Sequence, residues 1–106
     1  MKPTNLLHID TINADWCDKD EVMLHACFQL LTDCVEKEKL FTDNIDWDHS
    51  EEMRAAKKEI ETLYNWWKIR QKDPVPSIDN EKGRTKYEED NAMLIRVIRI
   101  RRYLWT

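Results

Sequence analysis

The apolar positions along the chain recur with the 3.6-residue period of helices in three stretches, and lose that regularity in the first seventeen residues. The middle stretch is the most sharply patterned. Met53, Ala56, Ile60, Leu63, Tyr64 and Trp67 recur at spacings of three and four and form a stripe about 100° wide. This predicts a helix over 51–71 with one face against a core. Trp66 falls outside the stripe, near Glu59, Thr62 and Arg70, and is a candidate interface anchor or ligand-stacking side chain.

The first patterned stretch predicts a helix over 19–40. Met23, Leu24, Ala26, Cys27, Phe28, Leu30, Leu31, Cys34 and Val35 sweep roughly 200° of arc, more than one neighbour covers. His25, Gln29, Thr32 and Glu36 line the remaining face. This polar seam is either solvated or turned towards a ligand or the arginines of the last helix. Asp18 with Glu21, and Asp48 with Glu51, have the spacing of a capping box ahead of the first two helices.

The last patterned stretch predicts a helix over 87–105, with Thr85 and Glu88 as its capping box. Met93, Val97, Ile100 and Leu104 fall on one line, with Leu94, Ile98 and Trp105 beside it. Arg96 and Arg99 project from the opposite side. Arg101 lies inside the apolar arc, where a guanidinium needs a carboxylate or a bound anion, and Asp33 and Glu36 are the expected protein partners. So wide an apolar face in a short chain predicts that a second copy supplies part of the cover. Trp66, Met93, Val97, Ile100, Leu104 and Trp105 are the expected contacts. Residues 73–86 hold Pro74, Pro76 and the single glycine, Gly83, and predict a loop. Residues 1–17 predict an extended arm packed by its scattered apolar side chains.

The expected architecture is therefore all-α, a three-helix bundle-like single domain with an N-terminal arm, completed by homo-oligomerisation. At 106 residues the core is modest, and 36% charged with 42% hydrophobic residues suits long amphipathic helices. The charge is unevenly shared. Residues 1–53 hold four basic and thirteen acidic residues, a net −9, and 54–106 hold thirteen basic and eight acidic, a net +5. Pairing between the two halves, or an anion-binding patch on the last helix, accounts for such a split. Three cysteines are an odd count, and Cys27 and Cys34 lie roughly 10 Å apart along one helix, too far for a disulfide. Reduced thiols, with no apolar run near 18 residues and no signal-peptide pattern, predict a cytoplasmic protein that no membrane holds.

Candidate chemistry is sparse. One glycine cannot build a phosphate-cradling loop. Three cysteines and three histidines show no zinc spacing, and the His8–Asp10 pair lacks further ligands, so neither a metal nor another cofactor is expected. Asp43, Asp46, Asp48, His49, Glu51 and Glu52 crowd together without the spacing of a calcium loop, and acids are favoured at a helix start. Helical magnesium-dependent nucleotide pyrophosphatases carry E-x-x-E and E-x-x-D motifs on facing helices. This chain offers Glu36 and Glu38, and Glu59 followed by Thr62, which departs from both. Arg96, Arg99 and Arg102 recur every third residue as nucleic-acid contacts do, but the net charge of −4 opposes non-specific binding.

Three segments taken together, HACFQLLTDCVEKE (His25 to Glu38), LYNWW (Leu63 to Trp67) and MLIRVIRIRRYLWT (Met93 to Thr106), resemble a group of small, largely uncharacterised helical proteins encoded by tailed bacteriophages. That resemblance implies an accessory protein working in the infected host by stoichiometric binding rather than catalysis. It would block a host or defence protein, or sequester a nucleotide-like anion. For an anionic ligand, Arg96, Arg99 and Arg101 are the expected phosphate contacts, with Trp66 and His25 against the base. A structural assembly protein and a helical hydrolase are the alternatives.

Overall fold

The computed structural model describes residues 7–12, 18–41, 46–72 and 80–104. Three helices, α1 (Lys19–Glu36), α2 (Glu51–Arg70) and α3 (Glu81–Ile100), pack pairwise, and a 3₁₀ turn (Arg101–Tyr103) follows α3. The fold is all-α and bundle-like, and no strand occurs among the described residues.

Helix α2 forms as its pattern dictates. Ser50 caps it, its hydroxyl accepting from Met53 N–H at 3.2 Å, and Glu51 and Glu52 complement the dipole in the first turn. Ala56, Ile60, Leu63 and Trp67, spaced four, three and four, are all buried. The Asp48–Glu51 box is thus replaced by a serine cap. Asp18 does stand at the N-cap of α1, but without a side-chain capping bond. Helix α1 ends four residues earlier than its pattern, at Glu36. Lys39 adopts a left-handed φ of 54°, and Leu40 N–H then reaches back to Cys34 C=O at 2.9 Å, which buries the Leu40 side chain.

Helix α3 differs most from expectation. It starts at Glu81, where Asn80 caps it by accepting from Gly83 N–H at 2.7 Å, so residues 81–86 are helix rather than loop. Thr85 lies inside the helix and its hydroxyl donates to Glu81 C=O. The remainder of the expected loop, 73–79, lies outside the described residues, as do the first six residues of the arm and 13–17.

The core brings together Phe28, Leu31, Leu40, Ile60, Leu63 and Trp67 with Val97, Ile100 and Tyr103. Phe28 stacks on Trp67 with centroids 4.7 Å apart. Val97 and Ile100, expected at a subunit contact, are therefore interior to the protomer, and Met93 and Leu104 pack half-buried against the same cluster. Trp105 lies outside the described residues. Contacts also set helix direction. Arg70 meets Asp90 while Arg96 meets Glu59, so α2 and α3 run oppositely. His25 of α1 meets Trp67 late in α2, while Phe41, past the end of α1, lies under Lys57 earlier in α2. Helix α1 therefore runs opposite to α2 and the same way as α3. No helix among the described residues is long and apolar enough to cross a membrane.

Candidate functional site

The last turn of α2 and the first half of α3 form the most polar part of the interior. Asp90 lies on the buried line of α3 that also carries Gly83 and Val97. A lone carboxylate there requires a cation. Arg70 supplies it as a two-pronged contact: Nε donates to Oδ1 at 2.8 Å and Nη2 to Oδ2 at 2.7 Å, with both side chains 7% exposed. Beside this pair opens a cleft of about 140 Å³ lined by Trp66, Ile69, Arg70, Lys86 and Glu89. Trp66 tilts over Phe28 and donates its indole N–H to Glu89 Oε1 at 3.2 Å, leaving the ring half-buried. Ile69, on the outer lip, is 71% exposed.

His25 is buried behind this cleft, not on its surface. It meets Trp67 edge-on at 4.9 Å, its Nδ1 lies 2.6 Å from Thr11 Oγ1, and its Nε2 lies 3.6 Å from Glu21. Burial, and then the nearby Arg70 charge, push the imidazole below its ordinary pKa, whereas burial raises the Glu21 carboxyl. Gln29 is likewise buried. Its carbonyl oxygen accepts from Asp10 N–H, and its amide donates to Asp10 and Asp33. His25 and Gln29 of the polar seam thus face residues 10 and 11 of the arm, and Glu36 faces Tyr64 and Lys68 of α2, rather than the last arginines.

The expected anion site does not assemble. Arg96 forms a fork with Glu59, Nε to Oε2 at 2.8 Å, which holds the Glu59 carboxyl below its usual range. Arg99 is exposed and lies ten residues along α3 from the Glu89 that meets Trp66, about 15 Å by helical rise. Arg101 is also exposed, because the helix tightens into the 3₁₀ turn at that residue and the 100° step that placed it in the apolar arc no longer holds. Its expected partners are engaged elsewhere: Asp33 by Gln29 and Lys37, Glu36 by Tyr64 and Lys68. The buried arginine is Arg70. Its signal in the sequence was Asp90, an acid seven residues before Val97 on an apolar line.

Of the expected ligand contacts, then, Trp66 alone lines the cleft. Ile69 and Lys86 join it without having been singled out. Burial drives the Cys34 thiol up to about 12 and raises Cys27, which makes both poor nucleophiles. His8 and Asp10 approach within 3.5 Å, and no group of three or more potential metal ligands occurs among the described residues. Comparison of the chain with protein-family models, curated proteins and solved structures gave no match.

Proposed function

We propose that this chain is a non-catalytic binding protein whose contact surface is the cleft between the end of α2 and the start of α3. The observation that carries this reading is the pairing of the outward Ile69 with the half-buried Trp66 around a small cavity rimmed by Lys86 and Glu89. An aromatic anchor in a pocket with a charged rim is the usual composition of an interface hot spot. A cleft of about 140 Å³ is small beside the roughly 300–1,000 Å³ of drug-sized ligand sites, which favours a protein side chain over a nucleotide as occupant. The resemblance to small helical phage proteins supports a partner among host or defence proteins in the cytoplasm of an infected bacterium, blocked by one-to-one binding.

A photo-crosslinking amino acid at position 69, expressed in bacterial cells, tests this. We expect one discrete crosslinked protein, lost when Trp66→Ala is added, and none from the same probe at the exposed position 58. No discrete adduct from position 69 would contradict the proposal.

A further inference from the structure

We infer that a second copy of this chain docks on the outer face between α1 and α3, antiparallel to the first. This face is separate from the Trp66 cleft. The Tyr87–Asp20 hydrogen bond, 2.9 Å long, sets α1 beside α3 with the second residue of α1 level with the seventh of α3. Counting one residue for one along the two parallel helices, Met23 lies level with Asp90, and Leu30 with Val97. The angular positions agree. On α1, Met23 and Leu30 lie on the far side of the α3-facing line from the Trp67 contacts of His25 and Phe28. On α3, Ile95 and Ile98 lie on the far side of the α1-facing Tyr87 line from Arg96 and Glu89, which face α2.

Met23 and Leu30 of α1 and Ile95 and Ile98 of α3 thus flank the same side of the helix pair. Met23 is 62% exposed, Leu30 51%, Ile95 48% and Ile98 52%, with the half-buried Cys27 and Leu94 between them. Four large exposed apolar side chains gathered on one face mark an interaction surface. Helical spacing on two parallel helices suits another such pair, so that two copies complete a four-helix layer.

The charges at the two ends identify the occupant and its direction. At one end stand the exposed Arg99, Arg101 and Arg102, while the exposed Lys37 beside them is paired with Asp33 at 3.4 Å. At the other, Asp20 and Glu88 offset Lys19 and Arg84. A parallel copy would set three arginines against three. A copy turned end for end sets them against an end whose charges balance and where Glu88 is exposed. The exposed apolar side chains centre at the level of Ile95, with Glu88 seven α-helical residues before it and Arg102 seven after, the last two of them in the 3₁₀ turn, so each stands about 10–12 Å away. A two-fold axis there brings Glu88 of one copy against Arg102 of the other, twice. Arg102 is 74% exposed at its side chain, 3.9 Å from Glu52 and 5.2 Å from the centroid of the Tyr103 ring.

Size-exclusion chromatography with light scattering on the full chain tests this across micromolar concentrations. The expected mass is twice 12.9 kDa. Ile98→Asp should raise the dimer dissociation constant roughly 100-fold, and Glu88→Arg or Arg102→Glu alone about tenfold, with the Glu88→Arg/Arg102→Glu pair restoring it. Trp66→Ala should leave the dimer intact, which separates this inference from the proposed binding site. A wild-type monomer, or a dimer indifferent to Ile98→Asp, would overturn the interface. A dimer that the charge exchange fails to restore would overturn the antiparallel arrangement.

Discussion

Helix α3 is bounded by two seams of opposite character. On its α2 side it is held by the buried Arg70–Asp90 fork, by the half-exposed Arg96–Glu59 fork and by the Trp66–Glu89 hydrogen bond. On its α1 side the polar tie is Tyr87 to Asp20, and the flanking Met23, Leu30, Ile95 and Ile98 remain open to solvent. Directional bonds specify one partner and one register, whereas apolar surface is indifferent to which chain covers it. The α2 seam is accordingly interior architecture, and the α1 seam flanks the surface that the proposed second copy would cover.

The strongest way to break that contrast is to unlock the α2 seam. Arg70→Ala leaves Asp90 charged and buried, and should cost about 3–5 kcal/mol in urea unfolding, enough to unfold much of a domain this size. Replacing both partners, as Arg70→Met with Asp90→Leu, should recover most of that loss, because an apolar pair of similar volume needs no desolvation. Arg96→Ala removes a fork whose members are 38% and 27% exposed, and should cost under about 1 kcal/mol. Equal losses at the two arginines would remove the distinction between a buried and a wet ion pair.

A smaller effect, in pH, sharpens the same picture. Unfolded His25 takes up its proton near 6.5, while the folded imidazole, buried and close to Arg70, takes it up only at lower pH. Between those values the unfolded chain binds more protons, so stability should fall as pH is lowered from 7.5 to 6. Glu21, raised from 4.5 by burial, acts in the opposite sense at lower pH. Urea midpoints at pH 7.5 and 6 should therefore differ in the wild type and converge in His25→Gln. A flat profile in the wild type would place His25 in contact with water.

How far each element was legible follows from how it is covered. The α2 stripe was readable because a narrow apolar face has only one way to be buried. The wide arc of α1 was not, since periodicity shows that Met23 and Leu30 are apolar without showing that α3 stops short of them. The start of α3 was hidden by Thr85 and Glu88, whose spacing imitates a cap inside a helix, while Asn80 and the buried Gly83 form the actual first turn. Arg101 misled for a different reason: a 3₁₀ turn changes the angular step, and no residue type announces it. At the site, Trp66 stood out because it left its own stripe. Ile69 did not, since a single exposed isoleucine is ordinary until a tryptophan stands beside it.

The proposed arrangement covers the α1–α3 face with a second copy and leaves the Trp66–Ile69 cleft open for a different partner. Isoleucine methyl NMR with a soluble paramagnetic relaxation agent reads both surfaces in one sample. In dilute protein, Ile69, Ile95 and Ile98 should relax strongly and the buried Ile60 and Ile100 should not. On raising the concentration, Ile95 and Ile98 should become protected while Ile69 stays accessible. Persistent exposure of Ile95 and Ile98 at every concentration, or protection of Ile69 along with them, would contradict the account.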